Sequence, residues 1–275
     1  MQPLRLASFS TDNKGGNPAG VVIAPQHPSD QEMRQIAADL GYSETAFASP
    51  QDDAWRVRYF SPESEVPFCG HATVALGAAL AAQHGNGVYT LVLNETTITV
   101  EGYSENGQMR AALQSPATHS TPAAPELTTA ACALLGLGAD DLDPRFTPTF
   151  AGAGATHLIL ALNSRDRLAA MSYDLAAGRD LMREHGLVTI MLVWVENDQL
   201  FHVRNAFASG GVLEDPATGA AAAAFSGCLR DISWPHGGKI TIIQGEDMGA
   251  KSIITAEIPD EKGASIRVSG EVRQI

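Results

Sequence analysis

Four side chains in this sequence are placed where they could move a proton or hold an anion: Glu44, His71, Asp215 and Asn17. Glu44 follows Gly41-Tyr42-Ser43 and opens the apolar run Thr45-Ala46-Phe47-Ala48. A carboxylate among apolar neighbours has its pKa raised, which suits a group that must both take and give a proton. The plainer reading is an exposed glutamate at a strand end. A histidine can relay protons, which makes His71 a candidate, or it is a satisfied core histidine. Asp215 precedes Pro216, and proline is favoured at the first position of a helix, so an N-cap fits as well as a catalytic carboxylate. Asn17, inside Gly15-Gly16-Asn17-Pro18-Ala19-Gly20, is a turn residue or an amide aimed at a ligand.

The elements that must position these groups are of two kinds. Ser29 caps an amphipathic helix that runs to about Leu40 and stops at Gly41, and a similar helix runs from about Asp174 to His185. Two other helices, about 70–84 and 217–230, carry no charge in their opening stretches. A helix apolar all round is buried. Most of the remaining chain alternates as short strands punctuated by Gly, Pro and Asn, with Asn106-Gly107 as a two-residue hairpin turn. Two buried helices in a strand-rich chain predict two sheets, each wrapped around one helix. Their N-termini, at Gly70 and Gly219, would offer unpaired N–H groups to a carboxylate or oxyanion. Tight packing of the same glycines is the alternative.

The halves repeat each other. Setting Trp55-Arg56-Val57-Arg58 against Phe201-His202-Val203-Arg204 gives an offset of 146, at which Cys69 meets Asp215. Residues 114–125, with three prolines and four hydroxyl side chains, read as an extended connector between domains. The expected domains are 1–114, completed by about 260–275, and 115–259.

The composition narrows the partners. A chain of 275 residues with 44% hydrophobic and 18% charged residues has material for a large core. A net charge of -13 without a basic run argues against nucleic acid. No apolar stretch reaches the roughly 18–20 residues of a membrane span, and the N-terminus lacks signal-peptide architecture; a cytoplasmic protein, with neither nucleic acid nor membrane as partner, is expected. Three cysteines at unrelated spacings make no disulfide framework, and the eight scattered histidines predict no metal site. Gly152-Ala153-Gly154 lacks the spacing of a dinucleotide fingerprint, so no cofactor is expected.

Five motifs in order make the sequence recognisable: Gly16-Asn17-Pro18-Ala19-Gly20-Val21, Ser43-Glu44-Thr45-Ala46-Phe47, Tyr59-Phe60-Ser61-Pro62, Glu65-Val66-Pro67-Phe68-Cys69-Gly70-His71-Ala72-Thr73 and Glu214-Asp215-Pro216-Ala217-Thr218-Gly219-Ala220. The chain resembles the PhzF-like (phenazine biosynthesis) family, which shares the diaminopimelate epimerase fold. The resemblance implies an α+β protein of two pseudo-symmetric domains, each a barrel-like sheet around a central buried helix, with the site in the cleft between them. It implies a cofactor-independent isomerase in which a glutamate moves a proton between carbons of a small carboxylated metabolite. By motif match that glutamate is Glu44. His71, Asp215 and Asn17 fall on active-site positions, and Ser43, Gly70, Thr73, Gly219 and Ala220 on substrate-binding ones. A homodimer is expected.

Two departures stand out. Phenazine enzymes carry a substrate-contacting serine where this chain has Ala220. Epimerase relatives work with two facing cysteines, and here Cys69 has Asp215 opposite it at the 146 offset. A two-thiol racemase is disfavoured on that count, and Cys69 reads as a small buried residue rather than a reactive thiol. The competing functions are a Cys69-dependent amino-acid racemase or epimerase, and a small-molecule-binding or interaction protein without turnover.

Overall fold

The computed structural model describes residues 2–275. Contacts divide them into two compact units, one of residues up to Gln114 with Ser269–Ile275, the other Ser115–Val268.

In the first unit, β1 (Leu4–Ser10), β2 (Asn17–Ile23), β3 (Thr45–Gln51), β4 (Ala54–Phe60), β6 (Gly87–Val92), β7 (Thr97–Glu105) and β8 (Gln108–Gln114) pair in that order. The two-residue β5 (Glu65–Val66) pairs with β4. The chain's last strand, Arg267–Gln274, pairs with both β8 and β1, closing an eight-strand barrel. Helix α1 (Asp30–Leu40) lies outside it. Its capping box joins Ser29 to Glu32, and Gly41 ends it in the left-handed conformation. Met33 and Ala37 of α1 pack on Val22, Phe47 and Phe60.

Helix α2 (Gly70–His84) fills the barrel, with every residue from His71 to Ala81 buried. Burying side chains such as Val74, Leu76 and Leu80 is worth roughly 1.5–3 kcal/mol each. The fit is close enough to demand glycine on the wall. A Cβ on Gly102 of β7 would stand 2.0 Å from the Gly77 carbonyl oxygen of the helix. The Asn106-Gly107 turn has φ of 53° and 78° and joins β7 to β8 as the sequence predicts.

The second unit pairs β9 (His119–Pro122), β10 (Thr149–Gly152), β11 (Thr156–Leu162), β12 (Thr189–Asn197), β13 (Leu200–Ala206), β15 (Lys239–Gln244) and β16 (Ser252–Glu257) in that order. The short β14 (Glu214–Asp215) pairs with β13. Helices α3 (Pro125–Leu134), α4 (Arg165–Ala169) and α5 (Leu175–Glu184) supply Leu127, Leu168 and Met182 to a core with β11 and β12. Helix α6 (Gly219–Asp231) is buried along nearly its whole length. The last strand, β17, is the Arg267–Gln274 segment already described.

Several expectations change. The prolyl stretch 114–125 is not a free connector, because Ser115 and Thr118 are buried and residues 119–122 form β9 against β10. An extended backbone finds a ladder as readily as it finds solvent. The segment that completes the first unit, expected from about residue 260, is Ser269–Ile275. The second buried helix starts at Gly219, so the buried helices begin 149 residues apart rather than 146. Strand pairing gives the reason. Tyr59 faces Val66 and Phe60 faces Glu65 in one unit; Asn205 faces Asp215 and Ala206 faces Glu214 in the other. The offset is 146 along β4 and β13 and becomes 149 in the turns that follow. Cys69 therefore corresponds to Thr218, and Asp215 to Val66.

Candidate active site

Glu44 stands at the entry to β3, and its carbonyl accepts from Gly20 N at 3.2 Å. Cys69 is the N-cap residue of α2 and His71 lies in its first turn. Their functional atoms converge. Cys69 Sγ lies 3.5 Å from Glu44 Oε2 and 3.4 Å from His71 Nδ1, while His71 Nε2 lies 3.5 Å from the same Oε2. Ser43 Oγ is 3.4 Å from His71 Nε2. Backbone bonds hold the group in place: Ser8 Oγ donates to His71 O and Thr73 Oγ1 to Cys69 O, each at 2.7 Å. The Glu44 side chain keeps 17% exposure and is the open edge of the cluster.

No side chain caps the N-terminus of α2. Its first N–H groups and the positive end of its dipole face the region of Gly70 and His71, which suits a ligand carboxylate or a developing oxyanion. Asn17 is buried and sits opposite Ser8 in the β1–β2 ladder. Just before it, Gly16 adopts φ of 85°, and a Cβ there would stand 2.8 Å from Ser8 O. Thr73 does not sit as a ligand contact. It is wholly buried, and its hydroxyl bonds to Tyr59 Oη as well as to Cys69 O. It supports the helix start from behind, and burial pushes the Tyr59 phenol well up.

The second unit repeats the helix start with other side chains. Thr218 is the N-cap residue of α6 and again makes no side-chain cap bond. Asp215 is thus not an N-cap, and Pro216 is not the first helical residue. Instead Thr218 Oγ1 donates to Asp215 Oδ2 at 2.5 Å. Gln244 secures the turn, donating to Asp215 O at 2.6 Å and to Thr218 Oγ1 at 3.1 Å, and accepting from Thr218 N at 3.1 Å. Gly219 is buried and Ala220 partly exposed at the helix opening.

Sequence reasoning missed Thr218, Gln244 and Ser8. A threonine directly before an N-terminal glycine and an alanine run could have signalled the first. Gln244 and Ser8 act through contacts distant in sequence, and nothing local marks them. The sequence reading also scattered the metal-ligating residues, whereas the fold gathers one donor each from Glu44, Cys69 and His71 within 4.8 Å of one another.

With this geometry in view, the sequence matches the phenazine biosynthesis-like protein family over residues 6–273. The chain belongs to that family. It is 30% identical to the uncharacterized isomerase YddE of Salmonella typhimurium, covering 98% of this chain and 95% of that protein. Likewise, it is an isomerase of this family. A Bacillus anthracis phenazine biosynthesis protein of the PhzF family superposes with a TM-score of 0.87 at 21% identity, covering 100% of this chain and 98% of that one. The fold extends further, to a probable proline racemase of Agrobacterium radiobacter K84, with a TM-score of 0.66 at 12% identity over 99% and 90% of the two chains. No helix among the described residues is long and apolar enough to cross a membrane.

Proposed function

We propose that the protein isomerises a small carboxylated metabolite by moving a proton between two carbons, with Glu44 as the proton carrier. The observation that supports this most is the placement of the Glu44 carboxylate 3.5 Å from His71 Nε2, beside the uncapped start of α2. In this reading Glu44 removes the proton from a carbon next to an activating group and returns it elsewhere on the same substrate. The N–H groups at the uncapped start of α2, about Gly70, stabilise the enolate-like charge that develops. His71, itself touched by Ser43, holds the carboxylate in position, and Asn17 orients the substrate. Ala220 presents a methyl group where the phenazine enzymes carry a serine, so the preferred substrate differs from theirs near that position. A homodimer remains part of the proposal.

Incubation with candidate carboxylates in heavy water tests it. Wild type is expected to place solvent deuterium on the isomerised carbon, and Glu44→Gln to lose about 10²–10⁴-fold of that rate. Exchange at the wild-type rate in the variant would remove Glu44 from its role. A ligand that binds tightly and returns unchanged and unlabelled would favour a binding protein.

A Cys69-dependent racemase is the second reading, favoured by the 3.5 Å approach of Cys69 Sγ to Glu44. Against it, the matching position in the other unit holds the hydroxyl of Thr218.

A further inference from the structure

We propose that Glu44, Cys69 and His71 form a binding site for a zinc-class divalent cation. Around a tetrahedral zinc ion, bond lengths of about 2.3 Å to sulfur and 2.0–2.1 Å to nitrogen and oxygen set ligand-to-ligand distances of roughly 3.3–3.6 Å. The three donors stand close to that pattern before any ion is added. Cys69 Sγ to Glu44 Oε2 is 3.5 Å, His71 Nε2 to Oε2 is 3.5 Å, and Sγ to Nε2 is 3.9 Å. Nδ1 is the ring nitrogen nearer the sulfur, at 3.4 Å, so a turn of the imidazole that brings Nε2 toward Sγ completes the triangle.

The donor set selects the ion. One thiolate, one imidazole and one carboxylate suit zinc, whereas magnesium and calcium require shells made largely of oxygen. The helix N-terminus repels a cation but favours the thiolate, and the charges of Cys69 and Glu44 together match a divalent ion. The carbonyls of Cys69 and His71 are already held by Thr73 and Ser8, so two ligands are fixed on a buried helix. Glu44, the most exposed of the three, leaves the fourth position to water. Three protein ligands and one open position describe a reversible site. An ion there engages the carboxylate that the proposed reaction needs, so occupancy stops turnover. Only this last consequence rests on the isomerase reading.

Cobalt(II) titration of the reduced full-length chain tests the site without reference to activity. Expected are a near-ultraviolet thiolate-to-cobalt band and the visible bands of a four-coordinate ion, saturating at one ion per chain and abolished by zinc. Cys69→Ala should erase the thiolate band, while Cys132→Ser and Cys228→Ser retain it. His71→Ala and Glu44→Gln should each weaken binding by more than tenfold, since even changes to residues that merely orient ligands cost about 10–100-fold. As a check independent of variant folding, equimolar zinc should slow alkylation of wild-type Cys69, followed by peptide mass spectrometry. Absence of the thiolate band in wild type, its survival in Cys69→Ala, or alkylation of Cys69 unaffected by zinc would each overturn the site. Metal binding without loss of turnover would leave the site standing and count against Glu44 as the proton carrier.

Discussion

Cys69 and Thr218 occupy the same place in the two halves of the chain. Each is the N-cap residue directly before the first glycine of a buried helix, and neither caps it with its side chain. The two differ in the chemistry around them: Cys69 lies beside Glu44 and His71, whereas Thr218 bonds to Asp215 and Gln244.

That pairing separates a single-base isomerase from a thiol-dependent racemase. With Glu44 as carrier, Cys69→Ala removes weak sulfur contacts to Glu44 and His71, together worth about 1 kcal/mol, and activity should stay within about tenfold of wild type. Steady-state rates on any substrate that exchanges deuterium check this. Loss of more than a thousandfold would move the chemistry to the thiol.

Arg58 grips Glu65 and Arg204 grips Glu214 at matching points of the two units, but their burial differs. Glu65 keeps 27% side-chain exposure and Glu214 only 6%. Arg204→Met leaves a buried carboxylate without its partner and should cost about 3–5 kcal/mol, against about 1 kcal/mol for Arg58→Met. Urea unfolding of both variants measures the difference; equal costs would refute the role given to burial.

Gly102→Ala drives a methyl group onto the Gly77 carbonyl, in a barrel whose helix has no room to retreat. A loss of about 1–3 kcal/mol or more is expected from overpacking. Gly107→Ala has open space but sits at φ of 78°, so its smaller loss comes from backbone strain alone. Comparing the two unfolding midpoints distinguishes crowding from conformation.

His157 predicts a pH dependence of folding. Its ring is buried and its Nδ1 meets Thr189 Oγ1 at 2.7 Å; that hydroxyl donates to Asn205 Oδ1 at 2.9 Å. Thr189 Oγ1 therefore accepts from a neutral Nδ1–H, and His157 Nε2 is left unpartnered in the interior. Burial lowers the pKa from 6.5 to about 3. Between those values the unfolded chain binds the proton and the folded chain does not, so stability falls as pH drops below 6.5 and the loss is complete near 3. The slope from this group reaches about 1.4 kcal/mol per pH unit. His27 and His236, also lowered by burial, act in the same direction. His157→Leu should flatten the curve between pH 6 and 4.5, above the range of the carboxylates; an unchanged slope in urea titrations would contradict the buried neutral ring.

The sequence by itself determined the elements whose stability is local. Ser29, Glu32 and Gly41 bound α1 through their own backbone bonds, Asn106-Gly107 turns the hairpin because both accept positive φ, and α2 and α6, uncharged through their opening turns, had to be buried. It also marked Glu44, Cys69 and His71 as residues to watch, through five short motifs. Tertiary structure decided what those residues touch. The 149-residue correspondence of the helix starts emerges from strand pairing, which no run of letters displays when identities are few. Gln244 and Ser8 reach their partners across 26 to 63 residues of chain. Proximity of that kind comes from the closing of a sheet around a helix, and so only the folded barrel brings a thiol, an imidazole and a carboxylate to one point.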